Sequence, residues 1–109
     1  MKYTIKKANA VYTGGGIFIF WGDLEDNKYF MCDDDGGVII LDSDPTDFDV
    51  SLYVEWQEEH LVEYLEDNEE ERLLFCDSLC DYLMKATKSE RGGLSDFEIE
   101  HYRKWFKLL

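Results

Sequence analysis

The chain has 109 residues, 45% of them hydrophobic and 16% aromatic, and a formal net charge of −14 at pH 7. This apolar content excludes a disordered acidic tail and predicts a single folded domain over residues 1–109, while the length leaves little room for a large substrate cavity. The sequence has no run of eighteen apolar residues and no apolar signal-peptide core near its first residues, so we expect a cytoplasmic protein.

The acidic residues are concentrated in the middle of the sequence. Residues 1–22 contain three lysines and no acid, and residues 72–109 contain seven bases and six acids. Residues 23–71 contain nineteen acids and a single base, Lys28. The net charge therefore comes from one block of the chain, which argues against the general acid enrichment of a halophilic protein.

The first forty residues predict a β-meander. Branched and aromatic residues, partly in alternation with polar ones, predict four strands at 3–12, 17–21, 28–32 and 38–41. The turns between the last three strands are polar, and an Asp-Gly pair in the second of them favours the positive φ angles of a hairpin. Three glycines at 14–16 lead into a strand and lack the Gly-Lys-Ser/Thr ending of a phosphate-binding loop, so they predict a turn or bulge.

Helical spacing begins after Pro45, the only proline of the chain. Apolar residues at 52, 56, 61, 62 and 65 predict an amphipathic helix over 51–65, although residues 60–65 are also compatible with a strand. Together with the helices predicted further along, this gives an α+β fold. We expect an antiparallel β-meander of three to five strands, followed by two or three helices packed on one face.

Two further helices are predicted after residue 66. The first opens at Asp67 or Asn68, with Glu70 or Glu71 at the capping-box position, and runs to about residue 86. Its expected buried residues are Leu73, Cys76, Leu79, Cys80 and Leu83.

The last helix is expected to run from Asp96 to the end of the sequence, after a break at two glycines. Ser95 and Glu98 predict a capping box, and Leu94 is placed to pack against Ile99 as a hydrophobic staple. The buried stripe of this helix is predicted to be Ile99, Tyr102, Phe106 and Leu109.

The sequence predicts no catalytic residue, no metal site and no cofactor, and hence a protein that is not an enzyme. Its three cysteines favour buried free thiols. A metal site built on Cys76 and Cys80 with His60 or His101 would need two more ligands at a recognisable spacing, which the sequence does not supply. Paired carboxylates are expected by abundance alone among nineteen acids and do not indicate a hydrolase.

Aspartates at 42, 44, 47 and 49 resemble a calcium loop, but the EF-hand spacing fails. A loop that begins at Asp42 requires Gly at position 47 and Glu at position 53, where the sequence has Asp47 and Tyr53. A loop that begins at Asp33 fails at the same two positions of the motif. Turn and cap chemistry explains these aspartates, and weak binding of a divalent cation stays open as an alternative.

Glutamates and aspartates also recur every four residues in the middle of the chain, at Glu55, Glu59, Glu63, Asp67 and Glu71. In a continuous helix this spacing would place like charges about 6 Å apart without an intervening base, which destabilises the helix. A surface of mixed charge is sufficient for solubility. A stripe of acids alone destabilises the fold by repulsion, so its presence favours a functional role.

The acidic block predicts binding to a basic protein surface, plausibly that of a nucleic-acid-handling complex. Carboxylates at phosphate-like spacing would occupy a DNA-binding groove as a DNA mimic. In size, charge and class the chain resembles the small acidic anti-CRISPR and anti-restriction proteins of phages, which implies an inhibitor. Direct binding to nucleic acid is not expected, because the only net-positive segments are short, and no membrane partner is expected. The predicted partner-binding residues are Asp33, Asp34, Asp35, Asp44, Asp47, Asp49, Glu55, Glu58, Glu59, Glu63, Glu66, Asp67, Glu70 and Glu71. A small regulatory or accessory domain with a basic partner is the alternative.

Overall fold

The computed structural model of the protein describes residues 2–14, 17–45 and 53–108, without the side chains of residues 13, 14, 17 and 53–56. Five strands and three helices lie in these segments, and a short 3-10 turn, Leu65–Asp67, precedes the second helix. The elements in chain order are β1 (Ile5–Gly14), β2 (Ile17–Leu24), β3 (Tyr29–Cys32), β4 (Val38–Leu41), α1 (Tyr53–His60), β5 (Leu61–Tyr64), α2 (Glu69–Lys85) and α3 (Asp96–Leu108).

The strands form one antiparallel sheet in the order β1-β2-β3-β4-β5, and the expected α+β meander is confirmed. The helix predicted over 51–65 is wrong beyond His60, where the chain continues as β5. In β5, Glu63 pairs with Ile40 and Tyr64 pairs with Ile39 of β4. A helix here would leave the backbone groups along that edge of β4 without these partners, so sheet pairing prevails over helical spacing.

The main hydrophobic core lies between one face of the sheet and helices α2 and α3. Four of the five residues predicted to face inward on α2 are buried, whereas Leu73 is only half-buried and Phe75 fills the core beside Phe30. On α3, Ile99 and Phe106 are buried and Tyr102 packs against the same cluster. Leu109 and the side chain of Trp56 lie outside the described residues.

A second, smaller cluster covers part of the opposite face of the sheet. Met31, Ile39 and Leu41 are buried there, and Trp21 and Leu61 pack against them. Strands β3 and β4 are therefore shielded on both faces, which explains why both are apolar almost throughout and do not alternate. None of the helices in the described part of the chain is long and apolar enough to cross a membrane.

The helix N-termini are where the capping signals place them. Asn68 caps α2, because its side chain accepts a hydrogen bond of 3.2 Å from the backbone N–H of Glu71. The capping box of α3 forms in both directions, with Ser95 N–H donating to Glu98 Oε1 and Glu98 N–H donating to Ser95 Oγ. The reciprocal half of a box is absent at α2, where the backbone N–H of Asn68 donates to Leu65 O instead.

Gly22 lies on β2 against the backbone of β1. It pairs with Ala8, next to an irregularity in the register of β1 between Ile5 and Lys7. A Cβ atom at position 22 would lie 1.9 Å from the carbonyl oxygen of Lys7 and 2.9 Å from Cα of Ala8. Both contacts are with backbone atoms, so a side chain is accommodated only if the two strands separate.

We therefore expect Gly22→Ala to lower the free energy of unfolding by at least about 2 kcal/mol, because it overpacks the β1–β2 pair. The control is Gly93→Ala, where a Cβ atom would meet nothing within 4 Å and the only penalty is a φ of +84°. That penalty is about 1 kcal/mol. Urea unfolding of both variants would measure the difference, and a smaller loss at position 22 than at position 93 would contradict the packing argument.

Candidate interaction surface

The three aspartates after β3 build the turn to β4. Asp33 Oδ1 accepts hydrogen bonds from the backbone N–H groups of Asp35, at 3.0 Å, and Gly37, at 2.8 Å. The backbone of Asp33 also bonds to Gly36 and Gly37, and Gly36 has the positive φ of 79° that such turns favour. Asp33 therefore holds the turn together, while the carboxylate of Asp35 is exposed.

A groove of about 430 Å³ lies between this turn and the start of α2. Its carboxylates come from two distant parts of the sequence, since Asp33 and Asp35 belong to the turn and Glu66 and Glu69 precede or open α2. A Cβ atom on Gly37 would lie 2.6 Å from Glu66 Oε1 and 2.9 Å from Asp33 Oδ2, so these two carboxylates converge on one point. We call this feature, with its carboxylates Asp33, Asp35, Glu66 and Glu69, the acidic groove.

Arg72 lies at the base of the acidic groove and is only 7% exposed. Both of its terminal nitrogens donate to the carbonyl oxygen of Phe106 at 3.2 Å, and Nη1 also donates to Gly36 O at 3.4 Å. Phe106 is in the last turn of α3, where carbonyl groups lack helical partners and the helix dipole is negative. The buried cation is thus held by carbonyl groups, and within the described segments no carboxylate forms an ion pair with it.

Glu63 and Glu71 are turned away from the groove, toward residues near the N-terminus. The hydroxyl of Tyr3 donates to Glu63, Lys2 Nζ lies 3.1 Å from Glu63 Oε1, and the backbone N–H of Lys2 donates to Glu71 Oε2 at 2.8 Å. The hydrogen bond from Tyr3 lowers the pKa of Glu63. Burial and the same hydrogen bond raise the pKa of Tyr3 to about 12. These two carboxylates are therefore committed to contacts within the chain.

The remaining predicted residues are distributed over several places. Glu58 and Glu59 are exposed on α1 and do not line the acidic groove, although their neighbour Gln57 shares a smaller pocket with Asp33, Gly37 and Glu66. Asp67 and Glu70 are exposed beside the start of α2, and Asp44 is half-buried. Asp47, Asp49 and the side chain of Glu55 lie outside the described residues.

The acids that recur every four residues do not form a stripe along one helix. Among them, Glu59, Glu63, Asp67 and Glu71 belong to α1, β5, the 3-10 turn and α2 in turn, so the predicted ladder of like charges along one helix is wrong. The structure instead brings together Asp33, Asp35 and Glu66 of the predicted set. It adds Glu69, which sequence reasoning left out because only its place on the first turn of α2 directs it to the groove.

Arg72 was also missed by sequence reasoning. A signal existed, since position 72 shares the helical spacing of the buried residues 76, 79 and 83, and a lone arginine at such a position predicts a buried cation. Its carbonyl partners on α3 and in the turn depend on the tertiary fold and are not readable from the sequence.

The three cysteines are free and buried, as expected. The thiol of Cys32 donates to the carbonyl oxygen of Asp33 at 3.3 Å. Interaction with the Cys32 thiol lowers the pKa of Cys76, and interaction with Cys76, together with burial, raises the pKa of Cys32. Burial raises the pKa of Cys80 to about 12. No group of three or more His, Cys, Asp or Glu side chains in the described ranges is arranged to hold a metal ion.

Comparison of the chain with models of protein families, with curated proteins and with solved structures gave no match. The geometry and charge of the chain itself therefore carry any functional argument.

We expect Arg72→Met to lower the free energy of unfolding by about 2 kcal/mol, because it leaves the carbonyl groups of Phe106 and Gly36 without their donor. The control is Arg103→Met on α3, which removes ion pairs to Asp77 and Asp81 that are more exposed to water and costs about 1 kcal/mol or less. Chemical denaturation measures both, and equal losses would show that the Arg72 contacts add nothing beyond a surface ion pair.

The bond between Tyr3 and Glu63 gives a prediction for pH. Because the pKa of Tyr3 is raised by folding, its contribution to the free energy of unfolding is complete below pH 10 and is lost as the pH rises toward 12. The lowered pKa of Glu63 means that its contribution is present above pH 4.5 and is lost in acid. Tyr3→Phe should therefore lower stability by about 1 to 2 kcal/mol at pH 7 and weaken the alkaline loss of stability.

The matched control is Tyr64→Phe, at a tyrosine on β5 outside this hydrogen bond. Thermal unfolding of the wild type and both variants between pH 7 and pH 11.5 would test the prediction. A Tyr3→Phe curve that parallels the wild type over the whole range would contradict it.

Proposed function

We propose that the protein is a non-enzymatic interaction protein of the cytoplasm that binds a basic protein surface through the acidic groove. In this proposal it acts as a DNA mimic and inhibits a nucleic-acid-handling complex, such as a CRISPR effector or a restriction enzyme. The observation that supports it is that four carboxylates line one cleft without an ion pair in the described part of the chain. Asp33 already accepts two hydrogen bonds within its turn, so Asp35, Glu66 and Glu69 are the carboxylates offered to a partner.

The distribution of bases supports the same conclusion. Lys2 pairs with Glu63, and Arg91 pairs with Asp96. On α3, Arg103 pairs with acids of α2 and with Glu100, and Lys107 lies 3.7 Å from Asp77. Cations from both ends of the chain thus pair with acids outside the acidic groove. Among the described residues, Arg72 is the one base in the groove lining, and it donates to backbone carbonyl groups and forms no ion pair with the groove's carboxylates.

The overall charge density is of the order that a DNA-binding groove recognises. The molecule is 36 Å long, and double-stranded DNA of that length would carry about twenty phosphate charges. The protein carries a net charge of −14. A surface evolved for phosphates would attract it over a long range and release counterions when it binds, so association would be fast and sensitive to salt.

The test uses purified CRISPR effectors and restriction endonucleases, each loaded with a fluorescent DNA duplex. We expect the protein to displace the duplex from at least one of them, with an affinity that falls about tenfold or more between 50 and 200 mM salt. The double variant Glu66→Lys/Glu69→Lys should weaken displacement by about tenfold or more, because it reverses half of the groove's carboxylates.

The double variant Glu58→Lys/Glu59→Lys is the matched control, since it makes the same charge change with the same residue types at two exposed carboxylates that do not line the acidic groove. We expect it to change the affinity by less than about threefold. An equal loss in both variants would show that only net charge matters. A failure to displace DNA from any enzyme of the panel, or an affinity independent of salt, would overturn the proposed function.

A further inference from the structure

Helix α3 has an apolar face that points away from the core. Phe97 is 82% exposed, Leu108 is 80% exposed and Trp105 is 39% exposed, although all three are large and apolar. With 3.6 residues per turn, Phe97, His101 and Leu108 lie within about 40° of one another around the helix, and Trp105 borders them. The buried residues of α3 lie on the other side, so this face is left without cover by the described residues.

This face forms one wall of a pocket of about 470 Å³, whose other wall is the β3–β4 turn. The volume is in the range of sites that enclose a side chain or a small ligand. The lining combines three aromatic rings, those of Phe97, Tyr102 and Trp105, with three carboxylates, those of Asp34, Asp35 and Glu98. The imidazole of His101 also lines the pocket.

The electrostatic effects at this pocket show that its carboxylates act on one another and on the rings. Burial, followed by the charges of Asp35 and Asp33, raises the pKa of Asp34. Burial, followed by the charges of Asp34 and Glu98, raises the pKa of Tyr102. A positive charge in the pocket would relieve this repulsion.

Aromatic faces and carboxylates together select one class of ligand group. An anion would be repelled, and a purely apolar group would leave the carboxylates without a partner and dehydrated. A guanidinium group stacks on aromatic faces through cation–π attraction and pairs with carboxylates through its planar set of donors. Its alkyl stem also fits an apolar wall.

We propose that this pocket is a docking site for an arginine-bearing basic segment of a protein partner, with the guanidinium between the α3 rings and the carboxylates of the turn. An apolar residue beside that arginine would cover Phe97. The inference rests on the proposed function, since it names where a basic partner anchors. Asp35 lines both the pocket and the acidic groove, so one partner would contact both.

The test is a titration of ¹⁵N-labelled protein with the capped tripeptide leucyl-arginyl-leucine, and with the same peptide in which uncharged citrulline replaces arginine. We expect the arginine peptide to shift the indole resonance of Trp105 and the amide resonances of Asp34 and Asp35. The citrulline peptide should bind about fivefold more weakly or not at all, because it keeps the shape and loses the charge.

Trp105→Ala should lower the affinity for the arginine peptide by about fivefold. The control Leu74→Ala removes an exposed apolar side chain on α2, outside the pocket, and should leave the affinity within about twofold. Equal binding of the two peptides, or shifts confined to the acidic groove, would overturn the inference. So would a dimer in sedimentation that Phe97→Ser dissolves, because the occupant of the face would then be a second copy of the chain.

The outcomes separate the two proposals. If the arginine peptide does not bind, but the protein displaces DNA and Glu66→Lys/Glu69→Lys weakens that displacement as expected, the proposed arginine site is wrong and the proposed function stands. If the arginine peptide binds as expected but no enzyme of the panel is inhibited, DNA mimicry is wrong and a basic partner of another kind remains.

Discussion

The buried guanidinium of Arg72 is the contact on which the candidate surface depends. It extends from α2 and donates to the β3–β4 turn and to the last turn of α3, so three elements that are far apart in sequence meet at one group. The turn contributes to both the acidic groove and the pocket beside α3, with Asp35 in the lining of each. This contact of Arg72 therefore ties α2 and the end of α3 to the turn. The cation also lies beneath the groove's carboxylates and reduces the repulsion of placing them together.

Much of the fold is encoded locally and could be predicted. The meander follows from apolar segments separated by polar turns, and the helix starts follow from capping residues such as Asn68 and Ser95, whose short polar side chains bond to the next turn of backbone. The β5 segment shows the limit of local reasoning. Its spacing suits either a helix or a strand, and the choice depends on the free edge of β4, which is a tertiary property.

The candidate site was less predictable because a charged residue carries no local signal of its partner. The sequence identified the acidic block correctly as a block, yet it treated Glu63 and Glu71 like the rest. Only in the folded chain do Lys2 and Tyr3 contact Glu63 and Glu71, so that these two carboxylates are engaged within the protein. Conversely, Glu69 enters the groove through its position on the first turn of α2, and no pattern of composition distinguishes it from Glu70.

The two strands that carry the β3–β4 turn are covered on both faces of the sheet, one by the main core and the other by the smaller cluster. Strands with buried apolar contacts on both faces open less readily than exposed segments, so the turn is carried by a well-packed part of the sheet. A partner would therefore meet an already ordered loop. Binding would then cost little backbone conformational entropy, so less of the favourable electrostatic energy would be offset.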